Sequence, residues 1–342
     1  ILVPAIPMVL EILMESAFVV CDVFFVSRLG ADAVATVGLT ESFLTLVYTL
    51  AIGLSIGATA MVARRIGQRD PDGAARAAVQ ALAIGVIVSL ALGVTGALFA
   101  PQLLGLMGAS PSVLATGSTY ARVMLGGNAT ILFLFLINAI FRGAGDAAIA
   151  MRVLWFANAL NIMLGPCLIF GLGPFPELGV TGAAVATNIG RGAGALFALS
   201  RLFRSSSDAS QGALVARIRV ARLHLKLQPA VMLRLVRLSA TGTLQTLIGT
   251  ASWIGLIRII SSFGSNALAG YTIGIRILIF ALLPSWGLSN AAATMVGQAL
   301  GAKQPDRAER AVWMAGFYNM CFLGIVGLLF VVFARPLVSF FT

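Results

Sequence analysis

Long apolar segments separated by short polar connectors make up most of this chain. Nine of these segments approach or exceed the roughly 20 residues that an α-helix needs to cross a bilayer. They lie at residues 3–27, 38–63, 77–99, 113–140, 150–171, 180–203, 230–260, 266–297 and 309–333. The connectors carry Pro, Gly and Asp in turn-forming combinations, as at residues 70–73 and 304–306. The pattern therefore predicts an all-α polytopic membrane protein.

Composition excludes a soluble globular protein. Hydrophobic residues account for 59% of the 342 residues and charged residues for only 10%, against about 25% charged residues in soluble domains. The formal net charge is +11, but the basic residues cluster between apolar segments, so we expect no nucleic-acid partner. The three cysteines lie inside apolar segments and the single histidine lies in a basic connector, so neither a disulfide framework nor a metal site is indicated.

The distribution of Lys and Arg predicts the orientation in the membrane. The connectors after the second, fourth, sixth and eighth segments together hold seventeen of these residues. The connectors on the other side, with the exit after the ninth segment, hold two, Arg28 and Arg335. Because basic connectors remain in the cytoplasm, we expect a multi-pass protein of the cell (inner) membrane with a cytoplasmic N-terminus.

The chain also contains an internal repeat. At an offset of 234 residues, segment 53–77 aligns without a gap with segment 287–311, and twelve of the twenty-five columns are identical. Six predicted helices separate the copies, and an even number means that both copies cross the membrane in the same direction. The sequence therefore predicts two parallel six-helix repeats. Counterparts of the fourth to sixth helices would lie beyond residue 342, so we expect the second repeat to be incomplete.

These observations divide the chain into three predicted parts. Residues 1–203 form an N-terminal six-helix lobe, and residues 230–342 form the first three helices of a C-terminal lobe. Residues 204–229 connect them; this segment is rich in Ser and Arg, which is typical of a cytoplasmic linker that is partly an interfacial helix.

Three carboxylates share one face of the first predicted helix. At 100° per residue, Glu11, Glu15 and Asp22 fall within about 40° of one another. A carboxylate in hydrocarbon costs at least about 2.5 kcal/mol on insertion scales, so such residues are rarely there without a use. For Glu11 and Glu15, a place in the headgroup region or an ion pair with a buried Arg is the alternative. Asp22 lies deep in the segment and is the strongest candidate for a proton or cation relay.

Several motifs together resemble the multidrug and toxic compound extrusion (MATE) family. They are residues 6–39, the repeated loops of segments 53–77 and 287–311, residues 141–152 and residues 161–187. The resemblance covers essentially the whole chain, taken as the first nine of twelve helices. It implies two six-helix lobes around a central cleft and secondary-active efflux of cationic or amphipathic organic compounds by H⁺ or Na⁺ antiport. The coupling ion is the only cofactor that it implies.

The same resemblance implies a cation-coupling site in the first lobe. In one branch of the family the site joins an Asp of helix 1, an Asn and an Asp of helix 5, and a Thr of helix 6. Asp22, Asn161 and Thr187 match three of these positions, whereas Gly165 stands where the helix-5 Asp is expected. Glu11 and Glu15 are candidates for the missing acid.

Two further residues are candidates for the substrate cleft. Glu41 begins the second apolar segment near the outer rim of the cleft, where simple solvation is the alternative to substrate binding. Arg276 matches a position that often holds Arg in the family and could pair with a carboxylate of the cleft. The expected partners are a drug-like small molecule and the lipid bilayer, and we expect a monomer.

Other function classes fit the sequence less well. A lipid-linked oligosaccharide flippase or polysaccharide exporter of the same superfamily is the nearest alternative, but it predicts basic residues in the cleft, and the first lobe carries acids. An enzyme would need a nucleophile, a metal cluster or a His–acid pair at membrane depth, and the sequence offers none, so we predict that the protein is not an enzyme. A receptor would not need a six-helix repeat.

Overall fold

The architecture of the chain is helical throughout the part that the structure describes. A computed structural model describes residues 2–203, 220 and 222–334, and its helices are α1 (Leu2–Ser27), α2 (Ala31–Gly67), α3 (Pro71–Leu106), α4 (Pro111–Gly126), α5 (Asn128–Ala144), α6 (Ala147–Phe170), α7 (Val180–Phe203), α8 (Pro229–Ser261), α9 (Ser265–Gly301) and α10 (Pro305–Val332). Each of the nine predicted segments corresponds to helix, and the fourth divides into α4 and α5. Six of these helical stretches are long and apolar enough to cross a membrane, α4 and α5 counting as one. The predicted fold class is confirmed.

The division between α4 and α5 was not visible in the apolar pattern. At the junction, the Asn128 amide donates to the carbonyl of Leu125 at 2.6 Å. A side chain at Gly127 would collide with Asn188 of α7, so the glycine permits a close approach of the two elements. A local side-chain bond to the preceding turn competes with the regular backbone pattern, and the helix ends there.

The internal repeat extends to the backbone. Helices α2 and α9 each contain 37 residues and begin 234 residues apart, and α3 and α10 both begin at a proline. Equivalent residues also share unusual backbone angles: φ is 99° at Gly30 and Gly264, 56° at Arg69 and 57° at Lys303. Non-glycine residues seldom adopt positive φ, so its recurrence at the same offset is strong support for one supersecondary unit used twice.

Helices α8 and α9 pack against the first repeat over only part of their length. Gly53 and Gly57 of α2 lie against Thr243 and Ser239 of α8, and Gly287 of α9 lies against α1 at Val9. Small residues permit such close backbone approach between membrane helices. The later part of α8, residues 248–256, is exposed. The two repeats therefore touch near the N-terminal end of α1 and leave a cleft toward the opposite end.

The end of the predicted linker contacts the first repeat. Residues 204–219 and 221 lie outside the described part of the chain, but residues 222–225 form a short 3-10 helix just before α8. The Gln80 side chain of α3 donates to the carbonyl of Lys226 and accepts from the amide of Gln228, both at 3.0 Å. His224 Nε2 lies 3.2 Å from Asp72 Oδ1. The start of α8 is thus attached to α3.

Candidate functional site

A buried guanidinium lies at the centre of the first repeat. Arg191, near the middle of α7, is only 5% exposed. Its Nη1 donates to the Tyr48 hydroxyl at 2.9 Å and its Nη2 to Glu15 Oε1 at 3.3 Å. The rings of Phe18 and Tyr48 lie 5.5 and 5.7 Å from its Cζ. Arginine stays charged in proteins, so a buried arginine requires acceptors and counter-charges of this kind.

Glu15 links three helices through this arginine. Its second carboxylate oxygen, Oε2, accepts a hydrogen bond from Asn158 Nδ2 of α6 at 2.9 Å. The Glu15 side chain is about one-third exposed, whereas Arg191 is almost fully enclosed. Glu15 of α1 is therefore an ion-paired carboxylate that also joins α6 and α7.

Asp22 and Glu41 lie within electrostatic range of Arg191 and of each other. Neither carboxylate makes a hydrogen bond to any side chain within the described ranges; Asp22 is half-buried and Glu41 is exposed on the open side. The phenol of Tyr120, which is buried on α4, also lies in the range of these charges. Together, Glu15, Asp22, Glu41, Tyr48, Tyr120 and Arg191 form what we call the Arg191 cluster.

Asn161 and Thr187 form a separate buried pair nearby. The Asn161 Nδ2 donates to Thr187 Oγ1 at 2.9 Å, and both side chains are at least 95% buried. Gly190 of α7 lies against Asn161, which explains how α6 and α7 approach closely enough for this bond. Gly165, one turn further along α6, is buried, yet a side chain there would meet nothing within 4 Å. The structure therefore brings together two of the three residues matched by the family resemblance and leaves space at the third helix-5 position.

Glu11 belongs to a different group. Arg142 Nη1, at the end of α5, donates to Glu11 Oε1 at 2.7 Å, and the two side chains are 14% and 11% exposed. This is the ion pair with a buried arginine that the sequence left open as the alternative role for Glu11. No contact joins Glu11 to the Arg191 cluster in the described part of the chain.

Sequence reasoning did not identify Arg191 as a site residue. It treated Arg191 as a residue that snorkels or makes a structural pair, and it gave Tyr48 and Tyr120 no role. An arginine at mid-helix is as costly in hydrocarbon as a carboxylate, and that cost was the available signal. Arg276 lies in α9, but its side chain is outside the described part of the structure, so its proposed cleft role stays a prediction.

Comparisons with known proteins agree with this architecture. The sequence model of the family described as MatE matches residues 7–167 and 243–342. The probable multidrug resistance protein YoeA of Bacillus subtilis is 26% identical, covering 98% of this chain and 72% of its own length. A FAD transporter of Shewanella oneidensis is 27% identical, covering 99% of this chain and 73% of its own length.

Solved structures show the same fold. An outward-facing multidrug resistance MATE family transporter of the MOP superfamily matches with a TM-score of 0.87 and 28% identity, covering 99% of this chain and 73% of that one. The matched family segments contain the carboxylates of α1 and both copies of the repeat. Members of this family are multi-pass membrane transporters and not enzymes, as predicted. The chain belongs to the MatE family, the multidrug and toxic compound extrusion transporters.

Proposed function

We propose that this protein exports cationic or amphipathic drug-like compounds by secondary active transport, driven by inward movement of H⁺ or Na⁺ through the first lobe. The observation that carries this proposal is Asp22, a half-buried carboxylate that lacks a hydrogen-bond partner among the described residues and faces the fixed charge of Arg191. A carboxylate in this environment can gain and lose a cation without breaking a structural bond. No cofactor other than the coupling ion is required.

The helix that carries Asp22 also contacts the second repeat, which supplies a route for coupling. Near its N-terminal end, Met8 of α1 packs with Leu288 and Ala291 of α9. A change in charge at Asp22 alters how α1 packs in the first lobe and, through α1, how the two repeats meet. An ion that binds one arrangement of the repeats more tightly than the other shifts their equilibrium, which is the thermodynamic basis of antiport.

The proposed setting is the inner membrane, with the N-terminus in the cytoplasm and the protein acting as a monomer. In that orientation the touching halves of the repeats lie toward the cytoplasm and the open end of the cleft lies toward the outside. The architecture is a first lobe of residues 1–203, a linker at 204–229 and second-lobe helices within 230–342. The basic connectors support this orientation, because they fall on the side where the repeats touch.

The test is dye efflux from liposomes that contain this chain, under an imposed pH or Na⁺ gradient. We expect Asp22→Asn to abolish gradient-driven efflux and to leave the amount of folded protein unchanged, because no structural bond is lost. The matched control is Asp32→Asn, since Asp32 is an exposed carboxylate in the first turn of α2. Full activity in Asp22→Asn would refute a relay at this position.

Export of an anionic compound is a second candidate, and one observation favours it. A relative of this chain is a FAD transporter, and FAD carries a pyrophosphate. The lipid-linked oligosaccharide flippases and polysaccharide exporters of the superfamily would need a similar anion site. In the described first lobe, however, Glu15 and Glu11 neutralise Arg191 and Arg142. Cationic or amphipathic substrates therefore fit this lobe better, and inhibition of dye efflux by FAD would favour the anionic alternative.

A further inference from the structure

Arg191 is held in the interior of the first lobe and not at its surface. A long arginine side chain near a membrane boundary usually extends to the headgroups. Arg191 instead points its donors at Tyr48 and Glu15 and lies between two aromatic rings, with 5% of its surface exposed. It is therefore a permanent positive charge tethered among the carboxylates.

The groups that face Arg191 come from three different helices. Glu15 and Asp22 come from α1, Glu41 and Tyr48 from α2, and Tyr120 from α4. Only Glu15 forms a direct ion pair with the guanidinium. With all three carboxylates ionised the cluster has a net charge of −2, from three negative groups and one positive group. Asp22 and Glu41 are thus the carboxylates that remain available to a mobile cation.

We infer that Arg191 is a built-in counter-ion that makes these carboxylates exchange protons and excludes Na⁺ from them. This inference rests on the proposed antiport and deepens it by naming the coupling ion. A bound Na⁺ keeps its full charge and would share a small, partly desolvated space with a guanidinium that cannot lose its own charge. A proton combines with the carboxylate and leaves a neutral group beside Arg191. The fixed charge therefore repels the metal ion at a site where protonation remains possible.

This arrangement also explains why the guanidinium has several acceptors. When Asp22 is ionised, Arg191 interacts with negative charge on both Glu15 and Asp22. When Asp22 is protonated, Glu15 is the remaining strong counter-charge on α1. Arg191 is therefore a positioning and selectivity residue, and the proton itself is carried by a carboxylate.

The experiment compares two driving forces on the full chain in liposomes. Dye transport is measured with a pH gradient at equal Na⁺, and with a Na⁺ gradient at equal pH. For the unmodified protein we expect transport with the pH gradient and at least about tenfold less with the Na⁺ gradient. For Arg191→Gln we expect the Na⁺-driven rate to rise about tenfold relative to the unmodified protein. Arg191→Lys should keep the proton preference, and Arg122→Gln, at an exposed position of α4, is the matched control.

Each outcome has a defined meaning. Comparable transport by both gradients in the unmodified protein would overturn the inference and leave the proposed antiport standing. An Arg191→Gln protein that transports but keeps the original ion preference would overturn the role of Arg191. Transport by neither gradient in the unmodified protein would overturn the antiport proposal and this inference with it.

A second measurement does not depend on the folding of any variant. Trp155 donates to the carbonyl of Leu10 on α1 at 3.1 Å, so its fluorescence reports on that helix. In the unmodified protein at fixed pH, we expect NaCl and choline chloride to have equal effects on this fluorescence, whereas a change of pH alters it. A saturable response specific to Na⁺ would overturn the inference.

Discussion

Removing the carboxylate of Glu11 should destabilise the protein, because it leaves the guanidinium of Arg142 without its counter-charge. The two groups are joined at 2.7 Å and their side chains are only 11% and 14% exposed. Breaking a fully buried ion pair by removing one partner costs about 3–5 kcal/mol. Since Arg142 lies at the end of α5 and keeps some access to solvent, we expect Glu11→Gln to lower the free energy of unfolding by about 2–3 kcal/mol.

The assay is a double-mutant cycle on unfolding in detergent micelles. If the loss comes from the unpaired charge, the double variant Glu11→Gln/Arg142→Gln should recover about 1–2 kcal/mol of the sum of the single losses. The exposed pair Arg65–Asp70, at 3.1 Å, is the control, and Arg65→Gln should cost less than about 1 kcal/mol. A Glu11→Gln loss no larger than that of Arg65→Gln would refute the reasoning.

The same cycle has a functional reading. Glu11 was a candidate for the acid missing at Gly165, but the structure places it in an ion pair outside the Arg191 cluster. The double variant should therefore retain gradient-driven efflux, whereas a relay acid could not be replaced. Loss of coupling in a stably folded double variant would return Glu11 to the coupling site.

Two other predictions follow from contacts described above. Gly190→Ala should cost about 1–3 kcal/mol, because its new methyl group would press on Ala157 and Asn161, whereas Gly165→Ala, with nothing within 4 Å, should be neutral or stabilising; thermal unfolding of the two variants compares them directly. Gln80→Leu should increase tryptic cleavage after Lys226 up to about tenfold, because two hydrogen bonds that hold this segment to α3 are lost; an unchanged cleavage rate would show that the segment is held by other contacts.

The sequence predicted the helices and the repeat because both are written in regular patterns. Apolar length marks each membrane segment, and the offset of 234 residues reappears in the backbone of α2 and α9. The break at Gly127 could not be predicted, since it depends on Asn188 from another helix. Local patterns contain no information about such a contact.

The candidate site was predictable only in part, for a related reason. The cost of carboxylates in hydrocarbon directed attention to Glu15 and Asp22, and the family resemblance to Asn161 and Thr187, which are hydrogen bonded in the structure. Arg191 and Glu15 are 176 residues apart in the chain, so a single sequence gives no sign that they pair. Whether Asp22 shares a coupling site with Asn161 and Thr187 stays a prediction.

The attachment of residues 224–228 to α3 has a mechanical consequence for the second repeat. Because Gln228 is bound to Gln80 immediately before α8 begins, the first turn of α8 is a fixed pivot on the first lobe. Helix α8 has 33 residues and is therefore a lever about 50 Å long. A tilt of about 10° around that pivot would move its far end by about 9 Å, at the open end of the cleft. A small rearrangement near Gln80 is thus converted into a large change in the width of the cleft.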